Sequence, residues 1–106
     1  MEAPHFIPVI ETSRLSEGSG RTVEVKGRRF AVFNSAGEFF AIDDTCPHVG
    51  ASLGDGFCDN GIVHCPMHGW AFEIATGACR SNPRKPVNSY PTRIVDGWLE
   101  IQVGVK

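Results

Sequence analysis

The sequence predicts an all-β domain made of short antiparallel strands. Runs of β-branched and aromatic residues recur along the chain, and turn residues separate them. The length of 106 residues suits one domain. The only helix candidate is a weak one near residues 12–16. Short strands at regular spacing are typical of a barrel or a sandwich, and the sequence leaves this choice open.

Most of the predicted strands pair as hairpins. The dipeptide Asp96-Gly97 is the strongest hairpin signal, because glycine readily takes the positive φ that a tight turn needs. Weaker turns are predicted at residues 34–38 and 59–61, each between two apolar runs. In chain order, the predicted strands are residues 22–25, 29–33, 39–42, 56–58, 62–64, 70–74, 90–95 and 98–103.

The composition excludes several classes of protein. A hydrophobic fraction of 42% is that of an ordinary globular domain, so we do not expect disorder. No apolar run approaches the roughly 18 residues of a transmembrane helix. Residues 1–15 contain Glu2 and Glu11 without the basic region of a signal peptide. We therefore expect a cytoplasmic protein with no membrane partner. The lack of a basic stripe also argues against a nucleic-acid partner.

Basic residues are absent from the middle of the chain, so its acidic residues are unbalanced there. Between Phe30 and Cys79 there is no Lys or Arg, whereas the remainder has a formal charge of +4. The six acidic residues of the middle segment are Glu38, Asp43, Asp44, Asp55, Asp59 and Glu73. One interpretation is an acidic face that binds basic partners, and the other is an ordinary solvated surface. The sequence favours neither of these two interpretations.

Two short motifs each place a cysteine close to a histidine. They are Cys46-Pro47-His48 and Cys65-Pro66-Met67-His68. Residues 49–64 between them are long enough for a hairpin that brings the motifs face to face. Such a pair supplies the ligands of a two-iron cluster with one iron on two thiolates and the other on two imidazoles. Zinc also binds two cysteines and two histidines, so a zinc-stabilised interaction module is a remote alternative.

The remaining cysteines and histidines lie outside these motifs. We expect Cys58 and Cys79 to be buried core or loop thiols, since free cysteine packs like a small apolar residue. His5 is expected on the surface. His64 directly precedes Cys65, and strand alternation should point its side chain away from that of Cys65.

With their flanking residues, the two motifs strongly resemble the Rieske [2Fe-2S] family, from about Phe30 to the C-terminus. The resemblance implies one [2Fe-2S] cluster per chain, with Cys46 and Cys65 on one iron and His48 and His68 on the other. It also implies a Rieske-type fold, in which an antiparallel β base domain, residues 1–42 and 86–106, carries an inserted cluster-binding subdomain, residues 43–85. The segment 80–86 resembles the proline-containing loop that covers the cluster, although a surface linker is the alternative.

Departures from the high-potential members of the family point to one branch. Those members have a serine after the His-Gly pair and a tyrosine two residues later, whereas this chain has Trp70 and Phe72. Their additional cysteine pair is also missing. The resemblance therefore implies the soluble, low-potential branch, which contains the ferredoxins of ring-hydroxylating oxygenases and the small subunits of NADH-dependent nitrite reductases.

The sequence contains no catalytic set of its own. There is no nucleophile elbow, phosphate-binding loop or dinucleotide fingerprint. We therefore expect an electron-transfer protein rather than an enzyme. The resemblance implies that it accepts electrons from a reductase and passes them to a terminal oxygenase. The alternative partner is the large subunit of a nitrite reductase.

Overall fold

The computed structural model describes residues 5–47, 50–67 and 69–103. In these residues there are ten strands and two single-turn 3-10 helices, Thr12–Arg14 and Leu53–Asp55. No helix in the described ranges is long and apolar enough to cross a bilayer. The strands are β1 (His5–Glu11), β2 (Gly20–Val25), β3 (Arg28–Ser35), β4 (Glu38–Asp43), β5 (Phe57–Asp59), β6 (Ile62–His64), β7 (Ala71–Glu73), β8 (Ser89–Tyr90), β9 (Thr92–Val95) and β10 (Trp98–Val103).

The strands form three small antiparallel sheets, which confirms the predicted all-β class. Their orders are β1-β10-β9, β2-β3-β4-β8 and β5-β6-β7. Pairing of β1 with β10 joins the two ends of the chain in one sheet. The third sheet lies entirely within the segment predicted as an inserted subdomain. The division at residues 43 and 85 stays a prediction.

Two-residue turns close the hairpins. Both central residues of each turn have positive φ, which is the backbone geometry that matches the right-handed twist of a strand pair. The sequence predicted the hairpins at Ala36-Gly37, Asn60-Gly61 and Asp96-Gly97, and all three are confirmed. The fourth turn, Lys26-Gly27, was not predicted, because lysine gives no sign of the positive φ that it adopts here.

Two predictions of secondary structure need correction, and one strand was missed. The predicted strand 90–95 is divided at Pro91: Tyr90 pairs with Ala41 of β4, whereas Thr92 pairs with Ile101 of β10. Proline has no N–H to donate, so the chain changes sheets there. The helix candidate is a single 3-10 turn. Strand β1 was missed because Pro8 breaks its pattern, and Pro8 is accommodated at a sheet edge beside a bulge.

Strand β3 is buried on both faces and separates two hydrophobic cores. Phe30 and Val32 face one core, and Ala31 and Phe33 face the other. The first core packs β3 against β1, β10 and Leu15. The second core packs β3 against the β5-β6-β7 sheet and contains all four cysteines. Neighbouring β4 also contributes to both cores, with Ile42 in the second and Ala41 in the first, so the two halves of the molecule are joined through β3 and β4.

A prediction about stability follows for Gly77. This residue precedes the segment 78–86, and its carbonyl accepts a hydrogen bond from the N–H of Val87, which follows the segment. The φ of Gly77 is +83°, and a Cβ there would lie 2.0 Å from the Val87 carbonyl oxygen. Gly97 has nearly the same φ, +81°, but open space around it. We expect Gly97→Ala to cost about 1 kcal/mol of unfolding free energy from backbone strain alone. Gly77→Ala should cost roughly 3 kcal/mol or more. Urea unfolding followed by circular dichroism measures both, and equal losses would contradict the close packing at Gly77.

Candidate metal centre

Two loops of the same construction carry the motif cysteines. We call residues 46–51, between β4 and β5, the first ligand loop, and residues 65–70, between β6 and β7, the second ligand loop. In the first, the N–H of Gly50 donates to the Cys46 carbonyl at 2.8 Å, and the Cys46 N–H donates to Ala51 at 2.9 Å. In the second, the corresponding bonds are Gly69 to Cys65 at 3.1 Å and Cys65 to Trp70 at 2.8 Å. Each loop is therefore closed onto its own cysteine.

Glycine is required in both loops for the same reason. Gly50 and Gly69 have φ of +76° and +72°, in the left-handed region that disfavours side chains. A Cβ at either position would meet nothing within 4 Å. The constraint is therefore the backbone conformation that returns the chain to the cysteine, and not close packing.

The two motif thiols meet in the interior. Cys46 and Cys65 are only 1% and 2% exposed, and their thiol groups share a hydrogen bond. Burial raises the pKa of the Cys65 thiol, and the neighbouring Cys46 adds to this rise, whereas the Met67 backbone N–H opposes it. Without a metal, burial therefore favours the neutral thiol at Cys65. Two sulfur donors converging from separate loops fit a metal, which would displace their protons.

The other half of the predicted ligand set, His48 and His68, lies outside the described residues. Among the described side chains, no group of three or more His, Cys, Asp or Glu could hold a metal ion. Cys58 and Cys79 are buried, as expected, and do not complete such a group. His5 and His64 are exposed, as predicted, and His64 lies in β6 with its side chain outside the core that holds Cys65.

Asp43, the last residue of β4, is held by the opposite strand. The Tyr90 hydroxyl donates to Oδ1 of Asp43, and the Asn88 N–H donates to Oδ2 at 2.9 Å. Arg28 in turn donates to the Tyr90 oxygen at 2.9 Å, and its guanidinium lies over the Phe30 ring. Burial and the hydrogen bond to Asp43 raise the pKa of Tyr90. This network fixes the end of β4, three residues before Cys46.

The structure corrects the predicted acidic face. Asp44 is 2% exposed and accepts hydrogen bonds from neighbouring groups, so it cannot contact a partner. Asp43 is half-buried and paired with Tyr90. Asp55 and Asp59 are exposed, at the end of a 3-10 helix and at the end of β5. Of the aspartates predicted to form the docking face, only these two remain available, together with the exposed Phe57 that lies between them in sequence.

The segment 80–86 begins beside the second ligand loop. The Ser81 hydroxyl accepts a hydrogen bond from the Ala71 N–H at 2.9 Å, and the Arg80 N–H donates to the Ala71 carbonyl at 2.8 Å. The buried Cys79 sulfur accepts from the Asn82 N–H at 3.3 Å. These bonds fix the start of the segment next to residue 70. Its role as a cover for the cluster stays a prediction.

Trp70 and Phe72, the two aromatic residues that stand in place of hydroxyl side chains after Gly69, differ in how deeply they are buried. Phe72 is fully buried in the second core, on the same face of its sheet as Val63. Trp70 is half-buried and packs against that core. Sequence reasoning did not select Thr22, Ser52 or Tyr90, because a sequence does not show that their hydrogen-bond partners, 22, 8 and 47 positions away, lie beside them.

Comparison with protein families identifies the family of this fold. The family model for the Rieske [2Fe-2S] domain matches residues 5–91 of this chain. This range includes both ligand loops and most of the chain. The chain therefore belongs to the Rieske [2Fe-2S] family.

Two curated relatives are ferredoxin subunits of dioxygenases. The anthranilate 1,2-dioxygenase ferredoxin subunit of Burkholderia cepacia is 45% identical over 75 residues, which cover 70% of this chain and 69% of the relative. The 3-phenylpropionate/cinnamic acid dioxygenase ferredoxin subunit of Photorhabdus laumondii is 38% identical over 100 residues, 92% of each chain.

Solved structures include members of both branches that the sequence suggested. A ferredoxin of Sphingomonas yanoikuyae B1 has a TM-score of 0.86 and 35% identity, over 94% of this chain and 100% of its own. The ferredoxin complexed with the oxygenase of carbazole 1,9a-dioxygenase has a TM-score of 0.84 and 31% identity, over 92% of each chain. A Mycobacterium tuberculosis protein assigned as an NADH-dependent nitrite reductase small subunit has a TM-score of 0.89 and 25% identity, over 99% of this chain and 100% of its own.

A pH-dependent prediction follows from Tyr90, the only tyrosine of the chain. Its pKa is raised above its unfolded value near 10, so its contribution to stability is present below that pH. The contribution is lost as pH rises through the folded-state pKa. We expect Tyr90→Phe to lower the unfolding free energy by about 1 kcal/mol at neutral pH. The difference from the parent protein should shrink above pH 10.

Urea unfolding at a series of pH values measures the difference in unfolding free energy between parent and variant. An ultraviolet titration of the single tyrosine measures its pKa. A difference between parent and variant that is the same at pH 7 and pH 11 would rule out this role of the Tyr90 hydroxyl.

Proposed function

We propose that this protein is a one-electron carrier that holds one [2Fe-2S] cluster and passes electrons from a reductase to a terminal oxygenase. The proposed ligands are Cys46, His48, Cys65 and His68. The observation that carries the proposal is the meeting of two buried thiols from two loops that are closed in the same way. The pattern of one all-cysteine iron and one histidine-held iron accounts for both motifs.

When bound, the cluster supplies a one-electron couple at a potential set by its ligands and surroundings. The protein's own residues hold it and exclude water. Cys46 and Cys65 supply thiolates from the interior, and the fully buried Phe72 and Val63 belong to the core beside them. The segment 80–86, anchored at Ser81, is proposed to cover it. Neither Trp70 nor Phe72 offers a hydroxyl, so we place the potential at the low end of the Rieske range, about −150 mV.

The choice of an oxygenase partner rests on the relatives. The two that are 45% and 38% identical are named ferredoxin subunits of dioxygenases, and one similar ferredoxin was solved together with its oxygenase. We propose no catalytic role for the chain itself. Its location in the cytoplasm stays a prediction.

A second candidate function is the Rieske subunit of a nitrite reductase. It is favoured by the TM-score of 0.89 over almost the whole chain. Single-turnover reduction of purified partner proteins separates the two candidates. The ferredoxin should pass electrons to an aromatic-ring oxygenase component and not to a nitrite reductase large subunit. The reverse preference would support the second candidate.

The first prediction of this proposal concerns the metal content. Protein purified without oxygen should contain iron and acid-labile sulfide in equal amounts, two of each per chain, because one [2Fe-2S] cluster is bound. Cys46→Ser should lose most of both, whereas Cys58→Ser should keep them, since Cys58 is a buried thiol outside the ligand loops. One zinc per chain with negligible iron and sulfide would refute the cluster and favour the interaction module.

The second prediction concerns docking through Asp55 and Asp59. Both are exposed and lie close in sequence to the ligand loops, so we expect them to attract a basic partner surface. Electron transfer to the partner should slow as salt rises, because screening limits such attraction to about 8 Å at physiological ionic strength. Replacing both with Asn should slow association further at low salt.

The matched control replaces two exposed acids of the other sheets, Glu24→Gln and Asp96→Asn, with the same change in net charge. Stopped-flow transfer at several salt concentrations compares the two double variants. If both slow association equally, net charge alone matters. If neither differs from the parent, there is no acidic docking face.

A further inference from the structure

Asp44 is the one charged side chain that is buried in the described part of the chain, with 2% exposure. Along this segment Asp44 and Cys46 are buried while Thr45 between them is exposed. Alternation of this kind places both side chains on the interior side of an extended chain. Asp44 and Cys46 are two positions apart in the chain, so their Cα atoms lie at most about 7 Å apart. A carboxylate thus enters the interior directly beside a proposed cluster ligand.

Hydrogen-bond donors from two separate parts of the chain, β2 and residues 52–54, surround this carboxylate. The Thr22 hydroxyl of β2 donates to Oδ1 at 2.8 Å, and the Ser52 hydroxyl donates to Oδ2 at 2.7 Å. The backbone N–H of Gly54 donates to Oδ1 at 2.9 Å. A carboxylate accepts hydrogen bonds and, when ionised, donates none, so this set of donors suits the charged form.

The same contacts hold the ends of the first ligand loop together. The Leu53 N–H donates to the Asp44 carbonyl at 2.7 Å, and Thr45 and Ser52 form a β-bridge. The first ligand loop, residues 46–51, therefore begins and ends at this network. Gly54 packs so closely on β2 that a Cβ would lie 2.2 Å from the Thr22 hydroxyl oxygen. The segment that follows the first ligand loop is therefore packed tightly against β2.

Hydrogen bonds stabilise the charge of Asp44, but a positive side chain offsets it only weakly. Its described ion-pair partner, Arg29, places Nε 3.5 Å from Oδ2, and the Arg29 side chain is 58% exposed. A hydrated guanidinium at this distance offsets little of a buried charge. The exposed Asp55 and Asp59 are screened by water and salt, whereas a buried charge is screened much less. Among the acids near the ligand loops, Asp44 should therefore have the greatest electrostatic effect on the interior.

We propose that Asp44 is a positioning residue that fixes the first ligand loop and, through its buried negative charge, lowers the reduction potential of the cluster. This inference rests on the proposed function, because it assumes the cluster on Cys46 and its partners. A buried anion repels the electron that reduction adds. Removal of the charge with the shape preserved should therefore make reduction easier.

The test is voltammetry of the purified cluster-containing protein with Asp44→Asn, in low and high salt. Asparagine keeps an oxygen that can accept from Thr22 and Gly54 but removes the charge. We expect a positive shift of the potential that persists in high salt. Asp55→Asn is the matched surface control, and its smaller shift should shrink as salt rises. A cluster-containing Asp44→Asn protein with the potential of the parent would overturn the proposal.

A second pair of variants tests the proposal if Asp44→Asn fails to fold. Here the expected shift of the potential has the opposite sign. Arg29→Gln removes the partial compensation of Asp44 and should shift the potential to more negative values. Arg14→Gln removes another exposed positive charge, at the first 3-10 helix, so it controls for net charge. Equal potentials for these two variants would overturn the proposal.

The measurement also separates failure of the inference from failure of the proposed function. It uses the isolated protein and needs no redox partner. A parent protein without a [2Fe-2S] signal would refute the proposed function, and the role of Asp44 with it. A parent protein with the signal, whose potential does not respond to Asp44 or Arg29, would refute only the role of Asp44.

Discussion

The structure depends on keeping two cysteine thiols, Cys46 and Cys65, side by side in the interior. Each comes from a loop that hydrogen-bonds back onto its own cysteine, so the thiols are positioned before any metal arrives. Two adjacent thiolates would repel one another in a low-dielectric interior. Burial resolves this in the metal-free protein by raising the pKa of Cys65, and a metal would resolve it by binding both sulfurs.

The rest of the fold supports this pair from two sides. Strand β3 is buried on both faces and connects the cysteine-bearing core to the sheets formed by the chain ends. At the end of β4, Asp43 is held by Tyr90 and Asp44 by Thr22 and Ser52. The first ligand loop therefore starts from a fixed point. The second starts and ends in the β5-β6-β7 sheet, where pairing of His64 with Ala71 brings its two ends together.

Sequence reasoning predicted the features that local chemistry determines. Glycine after Ala36, Asn60 and Asp96 marked three hairpins, and the spacing of cysteine and histidine in the two motifs marked the site. It did not predict features that join distant residues, such as the contact between Thr22 and Asp44 or the change of sheet at Pro91. The acidic face was wrong for Asp44 because a count of charges cannot distinguish a solvated carboxylate from a buried one. The histidine ligands remain a prediction from the motifs.

Pulsed electron paramagnetic resonance of the reduced protein, labelled with nitrogen-15 histidine, tests the proposed ligation most directly. We predict magnetic coupling to two histidine nitrogens, since His48 and His68 would hold one iron of the cluster. The coupling should come from a cluster that Cys46→Ser abolishes. A reduced two-iron cluster without histidine coupling would contradict the proposed ligation, because His48 and His68 would then not bind the cluster.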